Sequence, residues 1–570
     1  MKKRNVLALL LVLALMFSMM VGCGAKEENL APEESAPTQE EAPKEEAAPE
    51  ETPAEDEAEP APEAEAPAHT ITYPIEGGHV LTMTNVYNPN ASRVLGDGDY
   101  TLTETYDLLV ERTGVEIKFQ MLPESTFSTQ LDLIIASGDY PDMFGRSIGT
   151  ADNDLMKAIE DDIVIDMVPL MEEYAPDIYR LFTSDDDWHD ALVNSDGTVG
   201  KMSGWAMSKT TSGLFLRQDW LDGLGMEVPG TKDELTDMLR AFKSEYDCRN
   251  AILVDADLGS GLGDLFNSTA MGFMMLSYQL TAPNSGVVEC AYASQGYIDY
   301  LMYLNQLYSE GLITDDFLNI HKNVGNLEEQ YVMGYSGVWN DDAKYTYANQ
   351  TAAQAEDPNW SATAFYLDKS DNHVTQTVSG GTTSMTTLYI SGCCEYPEVA
   401  MQFLNYGFTQ EGSDLILLGE EGVSYNILPD GKVEYTEDIT NNPDGLTSEQ
   451  AKYKYLAEPW LPTVQQERVF EMSYTPQVME AYNIWSSAEG GDDSMIIPRE
   501  VRLSSTDQSR VFEISSDVVT LFNENAAKVI FGEITVDDYR AVIETANEAG
   551  MAEITEIYQK TYDAYMAENA

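Results

Sequence analysis

The sequence predicts an α/β protein whose folded part is divided into two lobes. Three observations carry this. Between Val80 and Met121 a strand, a helix and a strand follow one another at the length of a βαβ unit with a parallel sheet. About 500 residues remain after a polar N-terminal stretch, which is too many for one ordinary domain. Between Leu216 and Phe242 one short helix stops and a second, capped helix starts, which reads as the opening of a second lobe.

The N-terminus comes first in order. Lys2, Lys3 and Arg4 precede an apolar run from Val6 to Val21 and then Gly22-Cys23, the pattern of a secretory leader. The run is short of the roughly 20 residues that a spanning helix needs. Met20-Val-Gly-Cys23 resembles a lipobox, with Met20 where leucine is usual, so residues 1–23 are expected to be a lipoprotein signal peptide with Cys23 lipidated. Two acyl chains are enough for a stable anchor, which places the chain on the extracytoplasmic face of the cell membrane. Residues 24–69 are almost entirely Glu, Pro and Ala, with no aromatic residue. They cannot bury enough apolar surface to offset ordering, and so are expected to form a disordered, extended spacer.

Val80, Leu81 and Met83 mark the first strand, which runs out near Asn85-Val-Tyr-Asn-Pro89. Thr101 and Glu104 have capping-box spacing, and Leu102, Tyr106, Leu109 and Val110 share a helical face closed by Gly114. Val115, Ile117, Phe119 and Met121 alternate as a half-buried strand. Phe127, Leu131, Ile134 and Ile135 give the next helix its face, and Asp142-Met-Phe144 starts a third strand. In the opening of the second lobe, Gly223 and Gly225 end a helix and Pro229 blocks its continuation. Thr231 and Glu234 then cap a helix whose apolar face is Leu235, Met238, Leu239 and Phe242. Pro397 stands at a first helical turn, with Val399, Phe403 and Tyr406 on one face. Near the C-terminus Thr535 is an N-cap and Gly550 a break, and Ile554, Ile557, Tyr558, Tyr562 and Tyr565 form the stripe of the last helix.

Five segments in order resemble the family 1 extracellular solute-binding proteins of ABC transporters, within the LipO-like lipoprotein branch. They are Ile135-Ala-Ser-Gly-Asp-Tyr-Pro-Asp-Met-Phe144; Arg217-x-Asp219-Trp-Leu-x-x-Leu-Gly225 with the Pro and capped helix after it; Asn305-Gln-Leu-Tyr-Ser-Glu-Gly-Leu-Ile-Thr-Asp-Asp-Phe317; Tyr396 to Gly412 followed by Gly419 to Tyr425; and Ile530-Phe-Gly-Glu-Ile534 through Tyr558. The resemblance implies a periplasmic-binding-protein-like fold of two discontinuous α/β lobes joined by a hinge, with a ligand cleft between them. The expected division is 70–205 with 370–435 for lobe 1, and 206–369 with 436–570 for lobe 2. It also implies a carbohydrate or oligosaccharide ligand and ABC permease subunits as partners. The chain is expected to be a monomer.

Ligands of open α/β sheets lie beyond the C-terminal ends of the strands. Tyr87 and Asn88, where the first strand ends, are therefore candidates, and Asp142 is either a ligand contact or a strand-initiating turn residue. Sugars present apolar CH faces rimmed by hydroxyls, so aromatic platforms with amide and carboxylate neighbours suit them. That chemistry selects Trp205, Trp339 with Asn340 beside it, Trp360 and Trp460. Trp220 reads as core, and Arg217 as the partner of Asp219 rather than a ligand clamp.

The net charge is −67; three cations in the leader and a net −14 in the spacer leave −56 on the folded part. That argues against nucleic acid, whose binders carry basic patches. No GxSxG, HExxH or P-loop occurs, and His69, His79, His189, His321 and His373 have no metal spacing. Asp255-x-Asp257-x-Gly259 begins like a calcium loop, but Ser260 and Phe266 stand where Gly and Glu are needed. Neither a cofactor nor a metal is expected, and no reaction. Beyond Cys23 there are four cysteines, Cys248, Cys290, Cys393 and Cys394, too few for disulfides to carry stability, and the adjacent Cys393 and Cys394 are expected to be reduced thiols, a vicinal disulfide being strained. The reading is a lipid-anchored receptor that captures an oligosaccharide for import. An oligopeptide receptor is the alternative, a secreted glycoside hydrolase or an adhesion lipoprotein less so.

Overall fold

Alternation along the strands builds two sheets, each buried on both faces. In the computed structural model, residues 71–87, 89–96, 99–206, 212–246, 248–253, 278–282, 285–314, 317, 336–367, 383–457, 460–485, 495, 497–498 and 500–569 are described. Strands β1 (His79–Tyr87), β2 (Val115–Pro123), β3 (Met143–Gly145) and β4 (Met202–Trp205) belong to the first lobe. Strands β5 (Ser212–Arg217) and β6 (Asn250–Ile252) belong to the second, and β7 (Tyr278–Leu280) pairs with β8 (Val288–Cys290) in a small ribbon. Strands β9 (Ser336–Asp342) and β10 (Ala362–Phe365) complete the second sheet, and β11 (Thr383–Ile390) returns to the first. The strand orders are β2-β1-β3-β11-β4 and β10-β5-β9-β6.

The registers decide which strand ends meet. β1 runs parallel to β2 and β3, while β11 is antiparallel to β3 and β4. The C-terminal ends of β1, β2, β3 and β4 therefore lie together, with the start of β11 beside Trp205. In the second sheet Ser212 pairs with Asp342 and Leu214 with Phe365. The start of β5 thus lies with the ends of β9 and β10. The chain leaves the first sheet at Trp205 and enters the second at Ser212. Seven residues reach at most about 25 Å, so these two sheet edges are neighbours.

Period two then sorts the core. Leu81, Met83, Met143, Leu388 and Ile390 face one side of the first sheet, and Val86, Phe144 and Tyr389 face the other. In the second sheet Leu214, Leu216 and Val338 face one side, and Phe215 and Trp339 the other. The predicted helix from Lys232 to Glu245 forms with a complete capping box, and Leu235, Met238, Leu239 and Phe242 are fully buried. Gly114 and Gly225 close their helices at φ 76° and 63°, which a side chain would resist.

Two expectations are corrected. Thr101 and Glu104 form no capping box: Asp99 takes the cap, accepting from the Thr101 N–H at 2.9 Å, and a short 3-10 turn precedes the helix at Tyr106–Thr113. Leu102 consequently stands exposed. The second boundary between lobes also falls later than residue 436. Ala457, Trp460 and Leu461 lie in the first lobe's core, and Val469 packs there against Leu417 and Tyr425. The Glu104 N–H donates to the Lys454 carbonyl at 2.9 Å, holding this stretch to the first lobe. The second lobe resumes with the Pro476–Trp485 helix, whose Val478, Tyr482 and Trp485 pack under Trp339.

Candidate functional site: the facing strand edges

Trp205 closes β4 at the point where the chain leaves the first lobe. Its N–H donates to the Thr463 carbonyl and its carbonyl accepts from the Gln465 N–H, both at 2.9 Å. The indole is half-buried, and its Nε1–H donates to Asp185 Oδ2 at 2.9 Å. Asp185 Oδ1 also accepts from the Trp188 N–H at 2.8 Å and so caps the Asp186–Leu192 helix. One carboxylate thus fixes the indole plane from a rigid helix end.

Two strands away in the same sheet, just past the end of β3, Arg146 adopts a left-handed conformation with φ 74°. Its N–H donates to the Thr387 carbonyl at 2.7 Å, and its Nη1 lies 3.2 Å from Glu124 Oε1, just past β2. Both side chains are about half exposed (49% and 48%), so this ion pair sits open on the strand edge rather than inside the sheet. A non-glycine residue at positive φ is uncommon and clusters at functional positions. The sequence carried no signal for Arg146 beyond its place after a strand.

The second lobe offers a groove of about 610 Å³ lined by Tyr366, Pro476, Met479, Glu480, Asn483 and Ile484. Tyr366 directly follows β10, at the crossing end of that sheet. The other five share one face of the Pro476–Trp485 helix, at helical spacing. The groove is shallow and open, and its lining joins a ring and aliphatic surface to an amide and a carboxylate.

The structure brings together only part of the predicted set. Tyr87 ends β1 opposite Pro123, and Asn340 pairs with Leu214 near the end of β9, so both backbones lie at the crossing edges with Trp205. Asn88 lies outside the described residues, as does the Asp255–Gly259 stretch. Asp142 is at the opposite end of the first sheet. Its Oδ2 accepts from the Thr82 N–H and hydroxyl at 2.8 and 2.7 Å and its Oδ1 from the Glu395 N–H at 3.1 Å, the bracing role of a strand-initiating residue.

Three tryptophans are corrected from platforms to core. Trp339 is fully buried because strand parity turns it to the face where Phe215 stacks at 6.0 Å, and Nε1–H donates to Thr346 Oγ1 at 3.3 Å. Trp360 is buried at the far end of β10, with the Arg217 guanidinium 5.6 Å from its ring centroid. Trp460 is buried in the first lobe, edge-on to Phe119 at 5.0 Å. Arg217 pairs with Asp219 through Nε and Nη2 at 2.8 and 2.5 Å and stacks 4.4 Å over Trp220, as the sequence predicts.

Among the described residues no group of three or more His, Cys, Asp or Glu side chains could hold a metal ion. None of the four cysteines there forms a disulfide, and burial pushes the Cys394 thiol up to about 12, leaving it protonated at neutral pH. No helix of the described residues is long and apolar enough to cross a membrane.

Residues 101–413, more than half of the chain, match the family of bacterial extracellular solute-binding proteins. Among characterised proteins, the fructooligosaccharide ABC transporter substrate-binding protein FusA of Streptococcus pneumoniae serotype 4 is 25% identical over 43% of this chain and 46% of its own length. Lipoprotein LipO of Bacillus subtilis is 24% identical over 44% and 48%. The chain thus spans about half the length of the curated relatives it matches. Among solved structures, the alginate-binding protein AlgQ2 without calcium ion superposes with a TM-score of 0.69 at 17% identity, covering 86% of this chain and 99% of AlgQ2. A human-milk-oligosaccharide (HMO) binding solute-binding protein from Bifidobacterium longum infantis gives 0.67 at 17%, covering 86% and 99%. These likenesses establish the two-lobed α/β fold, and with the family match the chain belongs to the bacterial extracellular solute-binding proteins.

Proposed function

We propose that this protein captures a carbohydrate, an oligosaccharide in particular, between its lobes and delivers it to the permease of an ABC importer. The observation that carries the reading is the half-buried indole of Trp205, held by Asp185 at the edge where the chain crosses between lobes. A fixed aromatic face, with an open guanidinium–carboxylate pair farther along the same end of the sheet, suits a sugar's CH face and hydroxyl rim. Relatives that are named as binders of fructooligosaccharide and of polygalacturonan or rhamnogalacturonan support the same class. In this reading Tyr87, Asn88 and Asn340 border the ligand, and the Tyr366 groove extends its surface on the second lobe. Asp142, Trp339, Trp360 and Trp460 serve the fold.

The protein is a receptor and not an enzyme. Binding shifts the hinge equilibrium through differential affinity for open and closed forms. Cys23 carries the lipid that tethers a monomer to the outer face of the membrane, and the acidic stretch 24–69 is the spacer. A bound ligand raises the melting point by mass action, so the purified chain is to be screened by thermal shift against glycans and peptides. Glycans are expected to raise the melting temperature and to emerge from incubation intact. A shift with peptides and with no glycan would make it an oligopeptide receptor, and cleavage of a glycan would make it a hydrolase.

A further inference from the structure

The two lobes are joined by more than the covalent crossings. The Ser505–Ile530 helix buries Ile514, Val518, Phe522, Ala526, Val529 and Ile530 in the core of the second lobe. Its first two turns, and the residues just before them, do something else. Ser505 and Ser509 stand four residues apart on one helical face, and both hydroxyls donate to Asp154 Oδ2 of the first lobe, at 2.8 and 2.7 Å. Asp154 Oδ1 meanwhile accepts from the Lys157 N–H at 3.0 Å and caps the Leu155–Glu160 helix. Arg502 reaches the first lobe as well. Its Nη2 donates to Asp190 Oδ1 at 2.9 Å and to the Asp190 carbonyl at 3.1 Å, where His189 Nδ1 lies 3.0 Å from the same carboxylate oxygen.

We propose that Arg502, Ser505 and Ser509 form a clasp, a noncovalent tie between lobes that limits rotation about the hinge. The chemistry supports a restraint rather than an incidental touch. Asp154 is 8% exposed, so its carboxylate depends on protein donors. Charge-assisted hydrogen bonds are the stronger kind, and both serine donors come from the other lobe. A rotation that moved the helix off the first lobe would strip Asp154 Oδ2 of both hydroxyls, which ride on one helix, and would pull on Arg502, two residues before the helix's N-cap Ser504. Asp185 caps the short Asp186–Leu192 helix and Asp190 lies within it, so the clasp also bears on the element that holds the Trp205 indole.

The test reads the spread of interlobe distances. Spin labels are attached at two exposed positions, Leu133→Cys on the first lobe and Val228→Cys on the second, in a Cys393→Ser, Cys394→Ser background. Distances are compared with and without Arg502→Gln, Ser505→Ala and Ser509→Ala. Alanine is the best helix former, so the helix itself is retained. The clasp predicts that the distance distribution of the triple variant is at least twice as wide as that of the unaltered chain. An unchanged width in a variant with native circular dichroism overturns it. Should the triple variant fail to fold, Ser509→Ala alone is read the same way and must also broaden the distribution. The consequence for capture rests on the proposed function, but this measurement needs no ligand. A broadened distribution in a protein that binds no saccharide would leave the clasp standing and remove only the capture reading.

Discussion

Trp205 ends its strand and Trp339 sits midway along its own, both strands pointing toward the crossing, and the two rings meet opposite fates. Trp339 is one of three tryptophans, with Trp360 and Trp485, buried around Phe215 beneath the second sheet. Helices cover both faces of that sheet, so strand parity sends every β9 side chain of the core to one covered face or the other: Val338 to one, Trp339 to its opposite. Trp205 ends an edge strand of the first sheet, just where the chain departs, and its ring is only partly covered. An aromatic residue on a strand that points toward the crossing is thus no sign of a binding platform by itself. What matters is whether a second layer lies over that face, and the layer over Trp339 comes from the Pro476–Trp485 helix, far along the chain.

Substitution separates the two tryptophans. Trp339→Ala is expected to cost about 3–5 kcal/mol of stability by opening a cavity in a packed core. Urea unfolding followed by circular dichroism measures it, and a loss under about 1 kcal/mol would mean that the ring is not core at all. Trp205→Ala is expected to do the reverse, costing about 1 kcal/mol for one lost hydrogen bond while lowering saccharide affinity about tenfold. Isothermal titration with the glycan identified by thermal shift decides it, and equal affinity in both proteins would take Trp205 out of the site.

The smallest expected effect probes the carboxylates behind Trp205. Burial alone would raise the Asp190 carboxyl, but the hydrogen bonds from His189 and Arg502 and the Arg502 charge together outweigh it, so its pKa falls below the ordinary 3.8. A carboxyl lowered in the folded state adds stability that is complete above its unfolded pKa and is lost as the pH falls through the folded one. The melting-temperature gap between the unaltered chain and Asp190→Asn should therefore be constant above about pH 5 and shrink below about pH 4. A gap that stays constant down to acid pH would mean that Arg502 gives Asp190 nothing.

Local features were legible wherever both partners lie within a turn or two of each other. The capping box is such a case: the Glu234 N–H donates to Thr231 Oγ1 and the Thr231 N–H to Glu234 Oε2, at 3.2 and 3.1 Å. So is the Arg217–Asp219 pair, two residues apart. At Thr101 two short-range caps compete for one N–H, and Asp99 takes it. The Tyr366 groove was missed because its lining comes from a strand end and a helix more than a hundred residues later.

The amino-acid order alone therefore determines the α/β class, the second-lobe landmark at Arg217–Phe242, the acidic N-terminal stretch and the family, because periodicity, caps and composition act over a few residues. Folding in three dimensions decides which tryptophan stays open, which strand ends face each other, and that Ser505 finds Asp154 across 351 residues of chain. Those outcomes depend on which layer covers which face, and no short stretch of sequence carries that information.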